Sequence, residues 1–231
     1  MDFLVDSLFS ALLLIWSMDH DFLVIVYVSL KVSSSSTLIA SVVGVPIGFF
    51  IAYGEFHGKR LLITILNTLL SLPTVVVGLF VYAFISRKGV FGVYDLLYTQ
   101  KAIIIGQVIL IIPIVATFTI AAISPIDERY RKTAMTLGAN LSQTAWMILR
   151  EARFGIAAAI IAAFGRVIAE VGISMMLGGN AKGFTRTMTT AMALEYDKGL
   201  FVLSVALGIV LLTVSFMVNV FFNYFQGKAR A

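Results

Sequence analysis

The sequence predicts an all-α integral membrane protein with about five transmembrane helices, an interfacial helix at the N-terminus and a polar two-helix loop after the third span. Of its 231 residues, 60% are hydrophobic and only 13% are charged, which is too little charge for a soluble domain of this size. The apolar residues form runs longer than a buried core helix needs. The remaining charges collect in a few short stretches between these runs.

The charge balance and the absence of cysteine narrow the possible functions. The net charge is +5, which suits contact with anionic membrane lipid and does not require a nucleic-acid partner. With no cysteine in the chain, a disulfide framework, a thiolate metal site and a cysteine nucleophile are excluded.

The chain divides into an N-terminal amphipathic segment (1–21), a domain that holds all the spans (22–225) and a short tail (226–231). Residues 2–17 place acidic and serine side chains against leucine and phenylalanine, and this stretch is too short to cross a membrane comfortably. We expect it to lie at the membrane interface. The predicted spans are 22–53, 61–86, 101–123, 155–177 and 200–225.

The first span carries polar residues and a small-residue motif. Lys31 and the four serines that follow Val32 predict a face directed toward protein or a water-filled path, because lipid would not satisfy it. Gly44 and Gly48, with Pro46 between them, favour close helix packing and a kink.

The second span is interrupted near its middle by Asn67, Ser71, Pro73 and Thr74. A proline inside a helix leaves a carbonyl without its partner, so we expect this turn to face the interior of the bundle.

A polar island over residues 127–153 interrupts the apolar pattern with five basic and three acidic side chains. Ser124-Pro125 is typical of an N-cap followed by a first helical residue, and Asp127 and Glu128 suit the positive end of the helix dipole. Gly138 is expected to end this helix.

A second helix of the island is predicted to begin at Asn140, which forms a capping box with Gln143. An apolar stripe recurs across both helices, at Ala134, Leu137, Leu141, Ala145 and Ile148. Two interpretations stay open from these residues alone: a hairpin on the membrane surface, or a docking element for a cytosolic partner.

The lysine and arginine distribution predicts the orientation. Nine of these residues (Lys59, Arg60, the five in the island, Lys228 and Arg230) fall on the side of the island, and six (Arg87, Lys88, Lys101, Lys182, Arg186 and Lys198) fall on the other. The excess favours a cytosolic island, an N-terminus outside and a C-terminus inside.

Arg166 and Glu170 are charges within a predicted span, four residues apart and therefore on one helical face. Charge in hydrocarbon costs at least about 2.5–3.5 kcal/mol per group, so such residues normally face the interior and are paired. The pair is expected either to lock the bundle or to place Arg166 on a path for an anion.

A predicted polar loop over 178–199 is rich in hydrogen-bond donors. Its first part contains Gly178, Gly179, Asn180, Thr185 and Arg186, with no acid before Glu195. Glycine lets backbone N–H groups approach closely, and arginine with threonine hydroxyls suits a tetrahedral oxyanion. A plain surface turn would explain the glycines only.

Other chemistry is not supported. His20 and His57 are isolated from carboxylates and from each other, so we expect both to face solvent and hold no metal. The stretch from Gly54 to Arg60 is too short for a phosphate-binding loop and lacks a Ser or Thr after Lys59. With no catalytic constellation, we expect a transport subunit that is not an enzyme and does not hydrolyse ATP itself.

The island resembles the cytoplasmic signature loop of ABC-importer permeases of the type I fold. Leu137, Gly138 and Ala139 match that loop, as do Leu149 and the pair Gly155-Ile156. The sequence departs from the family pattern at Lys132, Thr133, Arg150 and Phe154.

The region from the fourth span onward is most similar to tungstate transporter permeases. The residues that carry this likeness are Gly165-Arg166 through Glu170 to Gly172, then Gly178-Gly179-Asn180, and then Thr185-Arg186-Thr187-Met188-Thr189-Thr190. Molybdate and sulfate permeases share less of this pattern.

The resemblance implies a multi-pass subunit of a prokaryotic inner membrane that works as a homodimer, with two ABC ATPase subunits and an extracytoplasmic substrate-binding protein as partners. ATP and Mg²⁺ would be bound by the ATPase, and this chain would hold no cofactor. The loop residues Thr133, Ala134, Leu137, Gly138, Ala139 and Asn140 would couple to the ATPase. Arg166, Glu170, Asn180, Thr185 and Arg186 would line or gate the path.

Three other functions remain as alternatives. The chain could be a permease of the same fold for molybdate, sulfate or another anion. It could also be a passive channel or a membrane assembly subunit, although a channel has no use for such a hairpin. A membrane enzyme lacks the catalytic residues it would need.

Overall fold

The computed structural model describes residues 2–126 and 128–230, in which eleven α-helices and no strand are found. A single 3-10 turn, Gly92–Tyr94, lies in the connection before the fifth helix. The helices are α1 (Asp2–Ser17), α2 (His20–Tyr53), α3 (Lys59–Leu69), α4 (Thr74–Ile85), α5 (Gln100–Ile123), α6 (Glu128–Thr136), α7 (Leu141–Glu151), α8 (Arg153–Ile168), α9 (Gly172–Gly178), α10 (Met188–Asp197) and α11 (Phe201–Arg230).

The centre of the fold is a parallel pair formed by α2 and α5. Ser36 Oγ donates to Gln107 Oε1 over 2.7 Å, and both side chains are buried. A Cβ added to Gly44 would lie 2.9 Å from Val115 Cβ, and one added to Gly48 would lie 2.7 Å from Thr119 Cβ. The two residues of each contact are separated by the same number of positions in the sequence, so the two helices run parallel in one register.

The small residues of α2 therefore serve close packing, as the sequence predicts. The backbones approach so closely at Gly48 that an added Cβ would lie 2.5 Å from the Ala116 carbonyl oxygen. The helix continues from His20 to Tyr53 through Pro46. Of the polar residues in its first half, Ser33 and Ser36 are buried as expected, whereas Lys31 is exposed and its ammonium lies 5.9 Å from the centre of the Tyr27 ring.

Two of the predicted spans are broken helices. The second span consists of α3 and α4, with a bend of 98° between the two helices. The fourth span consists of α8 and α9, with a bend of 61°. In the described chain, three helices are long and apolar enough to cross a membrane, and the number reaches five if each bent pair is one span. The two breaks touch, since a Cβ on Gly172 would lie 3.0 Å from Thr74 Oγ1.

Within the described chain, the turn at Pro73 faces the interior of the bundle only in part. Ser71 and Pro73 are exposed, while Leu70 and Leu72 on either side of Ser71 pack against the core. Pro73 is the N-cap of α4, so the proline lies between two helices and not inside one.

The polar island forms a hairpin of two helices, α6 and α7. We call the end of the bundle at which it lies the hairpin end. Gly138 has φ +88°, and the Ala139 N–H donates to the Ala134 carbonyl over 3.0 Å, so the expected glycine C-terminus is confirmed. The capping box between Asn140 and Gln143 is also confirmed, at 2.8 and 2.9 Å.

The predicted N-cap at Ser124 is wrong. Ser124 is the C-cap of α5, and its hydroxyl donates to the Ile120 carbonyl over 2.7 Å. A serine at a helix end can bond backward to the carbonyl four residues earlier instead of capping the next helix. The contribution of Asp127 and of the Glu128 side chain to the next helix lies outside the described residues.

The predicted loop over 178–199 is also partly wrong, because its second half is the helix α10. Thr187 and Thr190 form a capping box, and Met188 and Ala191 are fully buried against α11. Threonine has a low helix propensity, but here tertiary burial and the cap outweigh that preference.

The remaining helices flank this core. The residues Ala11, Leu14 and Ile15 of α1 pack with Ala206 and Leu207 of α11 at the end of the bundle opposite the hairpin. Trp16 is 88% exposed, and few residues of α11 are buried. The interfacial position of α1 stays a prediction.

We predict that Gly48→Ala destabilises the protein by about 1–3 kcal/mol, the usual cost of overpacking, because the new methyl group meets the Ala116 carbonyl. Thermal unfolding of the purified protein in detergent, followed by circular dichroism, measures the effect. Gly227→Ala is the matched control, since a Cβ there meets nothing within 4 Å. Equal melting temperatures for the two variants would show that α2 and α5 are not in close contact.

Candidate functional site

The junction of the two broken helices contains an ion pair. Arg166 Nη1 lies 3.1 Å from Glu170 Oε2, as the four-residue spacing predicts. Glu170 also accepts the Ile173 N–H through Oε1 at 3.2 Å, and its carbonyl accepts the Thr189 hydroxyl at 2.8 Å. This one residue therefore caps α9, pairs with α8 and attaches α10.

The two partners of the ion pair differ in exposure, because the Arg166 side chain is 42% exposed and that of Glu170 is 3% exposed. A buried carboxylate requires its partner charge, whereas an exposed guanidinium can still reach solvent or an anion. The arrangement supplies one cation with free donor groups, held beside the point at which both helices break.

The loop between α9 and α10 is closed by its own side chains. Thr185 Oγ1 donates to the Gly178 carbonyl at 2.6 Å and accepts the Ala181 N–H at 2.9 Å. Asn180 has φ +52°, and its amide donates to the Thr190 carbonyl at 3.2 Å. The Thr185 hydroxyl and the Asn180 amide therefore both donate hydrogen bonds within the protein.

Arg186 is engaged in a second ion pair, separate from that of Arg166. Its Nη1 lies 3.5 Å from Glu195 Oε1, and both side chains are largely buried. Lys198 approaches the same carboxylate at 3.1 Å, so Glu195 lies between two cations. The pairing of Glu195 with Arg186 was not predicted, although Glu195 is the first acid that follows Arg186 in the sequence.

The loop is also attached to α2. Lys182 Nζ lies 2.6 Å from Asp21 Oδ2 in the first turn of that helix, and the Met188 N–H donates to Ser29 Oγ at 2.6 Å. The structure thus brings Asn180, Thr185 and Arg186 together at the end opposite the hairpin, and the Thr189 contact joins this region to Glu170.

At the hairpin end, the apolar stripe predicted across α6 and α7 divides into two parts. Ile148 is buried and Ala145 is partly buried, and both belong to a cluster that includes Phe49 and Ile123. Leu137 and Leu141 are 83% and 62% exposed. The predicted stripe therefore does not lie on one face of the hairpin, because the turn at Gly138 places the tip of the hairpin beyond the bundle.

The predicted coupling residues lie at this tip. Thr133, Leu137, Gly138 and Asn140 are exposed, and Ala134 and Ala139 are partly exposed. Trp146 adds a further large apolar surface, at 69% exposure. The hairpin thus has one face seated on the bundle and one apolar edge that no described part of the chain covers.

Two contacts secure the base of the hairpin. The Arg131 guanidinium lies 4.5 Å from the centre of the Tyr53 ring and 3.5 Å from the Tyr53 carbonyl oxygen. Tyr53 in turn stacks on Phe49 with ring centres 5.4 Å apart. The end of α2 and the hairpin are therefore in direct contact.

No metal centre is found in the part of the chain that the structure describes, since no three His, Asp or Glu side chains come together there. His20 and His57 are exposed, as predicted.

We predict that Arg166→Ala destabilises the protein by up to about 3 kcal/mol, because the buried Glu170 carboxylate loses its partner. The exposed position of Arg166 keeps the loss at the low end of that for a buried pair. Adding Glu170→Gln to this variant should restore part of the stability, since the amide removes the unpaired charge and still accepts the Ile173 N–H. Thermal unfolding in detergent measures both steps, and a double variant less stable than Arg166→Ala would contradict the ion-pair argument.

Residues 44–231 match the family described as "Binding-protein-dependent transport system inner membrane component". The chain is 36% identical over 219 residues to the "Tungstate uptake system permease protein TupB" of Peptoclostridium acidaminophilum, covering 95% of this chain and 96% of that protein. It is also 36% identical over 197 residues to a "Probable anion ABC transporter permease protein" of Haloferax volcanii, covering 83% of this chain and 85% of the relative.

The fold is similar to that of a solved bacterial ABC transporter involved in import of the acidic polysaccharide alginate. The TM-score is 0.71 at 18% identity, over 94% of this chain and 82% of the other. These matches confirm the resemblance inferred from the Leu137-Gly138-Ala139 loop and from the residues around Arg166. The chain is thus a member of the family of inner membrane components of binding-protein-dependent transport systems.

Proposed function

We propose that this chain is the permease subunit of an ATP-driven importer for an oxyanion, and that the oxyanion is tungstate. The observation that carries the proposal is the similarity to a tungstate uptake permease over 95% of the chain. The exposed Arg166 beside the helix breaks supports it, because a guanidinium makes strong charge-assisted hydrogen bonds to an oxyanion and discontinuous helices commonly form substrate sites.

The energy for transport comes from a partner in this proposal. Two ABC ATPase subunits bind ATP and Mg²⁺, and each seats one hairpin α6–α7. The exposed apolar edge around Leu137, Leu141 and Trp146 supports such docking, because large apolar side chains left outside the bundle mark an interaction site. Thr133, Ala134, Gly138, Ala139 and Asn140 complete the contact surface.

Two copies of the chain form the path, and an extracytoplasmic binding protein delivers the anion. The broad exposed surface of α11 supports a neighbour of either kind, lipid or a second copy. The hairpin lies in the cytosol, with the N-terminus outside and the C-terminus inside, as the excess of lysine and arginine at the hairpin end favours.

The roles of the site residues follow from their contacts. Arg166 meets the anion, and Glu170 positions it and holds the junction of the broken helices. Asn180, Thr185 and Arg186 keep the outer loop closed and gate the path by their hydrogen bonds and the Glu195 ion pair.

We predict that Leu137→Asp abolishes co-purification of the cognate ATPase with the permease, because a charge in place of an exposed leucine cannot enter an apolar groove. Affinity purification from membranes measures the bound ATPase, and a melting curve in detergent shows that the variant is folded. Val93→Asp is the matched control: this valine is 92% exposed, in the turn at the opposite end of the bundle. If the ATPase fails to bind the folded wild-type chain, a passive channel or an assembly subunit becomes the better explanation.

We predict that the transporter, reconstituted with its binding protein and ATPase, takes up tungstate, and that Arg166→Gln lowers the rate by about tenfold or more through loss of a charged donor. Arg166→Lys should retain more activity than Arg166→Gln because it keeps the charge. Uptake of radiolabelled tungstate into proteoliposomes gives the rates, with molybdate, sulfate and phosphate as competitors. Transport of one of these anions in preference to tungstate would assign the same fold to that solute.

A further inference from the structure

The helix α3 carries a polar stripe that no part of the described chain covers. Five residues, all exposed, fall within one side of the helix: Arg60, Thr64, Asn67, Thr68 and Ser71, the last just beyond the end of α3. Their spacing of three and four residues places them on one face. The opposite side carries leucine and isoleucine, of which Leu66 is buried.

The hydroxyl groups of the stripe are oriented in series. Thr64 Oγ1 donates to the Arg60 carbonyl, Thr68 Oγ1 to the Thr64 carbonyl and Ser71 Oγ to the Thr68 carbonyl, each at 2.9 Å. The side chains of Arg60 and Asn67 make no hydrogen bond or ion pair within the part of the chain that the structure describes.

The position of α3 places this stripe within the apolar layer of the bundle. Leu66 packs with Ile51, Ala116 and Ile120, which lie in the halves of α2 and α5 nearer the hairpin. At the other end, the break after Leu69 leads to Thr74, which contacts Gly172 beside the Arg166–Glu170 pair. The stripe thus extends from the hairpin end of the bundle to the junction of the two broken helices.

Lipid cannot satisfy such a face. The guanidinium of Arg60 and the side-chain amide of Asn67, which have no partner in the described chain, would lose their hydrogen bonds to water in hydrocarbon. Exposed polar groups and broken backbone at membrane depth persist where they line a water-filled space.

We propose that the polar stripe of α3 is one wall of the inner half of the translocation path, leading from the helix breaks at Arg166 to a mouth marked by Arg60. The identity of the solute rests on the function proposed above; the position of the wall does not. A hydrated oxyanion passes such a wall without being trapped, because the hydroxyl protons are already donated to the backbone. Arg60 and Arg166 supply positive potential at the two ends, and the stripe carries no acid.

The absence of cysteine makes this wall directly testable. Single cysteines replace Thr64, Asn67 or Thr68 on the stripe, and Leu62 or Ile65 on the apolar side serve as controls. Leu62 and Ile65 are 37% and 46% exposed in this chain, so exposure alone does not separate the two groups. The complete transporter in inside-out vesicles is treated with membrane-impermeant anionic or cationic thiol reagents.

The stripe positions should be labelled many times faster than the controls, and the anionic reagent should react about tenfold faster there than the cationic one. Labelling of Thr68→Cys should also block uptake. Arg60→Gln should remove most of the preference for the anionic reagent, and Arg60→Lys should restore it. Lys88→Gln, at an exposed lysine near the opposite end, should leave the preference unchanged.

Equal labelling of stripe and control positions would overturn the proposal, since α3 would then lie on an open surface. Protection of the stripe with labelling of Leu62→Cys or Ile65→Cys would overturn it too, because the polar face would be buried against another subunit. The labelling pattern is measured without tungstate. A wild-type transporter that shows the pattern but imports a different anion would overturn the proposed substrate and leave the wall in place.

Discussion

The close parallel contact between α2 and α5 is the interaction on which the rest of this structure depends. Membrane helices gain little from the hydrophobic effect when they associate, because lipid is as apolar as their side chains. Gly44 and Gly48 allow the backbones to approach, and the buried Ser36–Gln107 hydrogen bond sets the register. With this pair in place, α8 and α9 pack on α5, and α10 is attached to α2 through Ser29.

The broken helices then create the interior chemistry. A continuous helix satisfies its own backbone groups and leaves none of them free to bind a solute. A break exposes N–H and carbonyl groups that need new partners. Glu170 provides those partners on one side, by accepting the Ile173 N–H and the Thr189 hydroxyl. Its buried charge in turn requires Arg166, so the same residue that stabilises the break also holds a cation beside it.

The hairpin is connected to the same framework. Ile148 and Ala152 pack with Phe49 and Ile123, which are close to the ends of α2 and α5, and Arg131 contacts Tyr53 at the last residue of α2. A displacement of the hairpin therefore acts on both helices of the central pair. Packed helices of this kind move as nearly rigid bodies, so a force applied at the hairpin can reach the helix breaks without local unfolding.

Much of this organisation was determined by the sequence itself. Long apolar runs predict the all-α membrane fold, Gly44 and Gly48 predict a close contact, and the spacing of Arg166 and Glu170 predicts their ion pair. Asn140 with Gln143 predicts the start of α7, because caps and turns depend on neighbouring residues. The tertiary structure alone decided which polar groups stay free. Thr185 and Arg186 have the composition of an anion site, yet the fold of this region brings Gly178 and Glu195 into contact with them. The α10 helix forms against its threonine content because burial outweighs propensity. Pro73 predicts an interruption of the second span, but only the tertiary structure gives the 98° bend between α3 and α4.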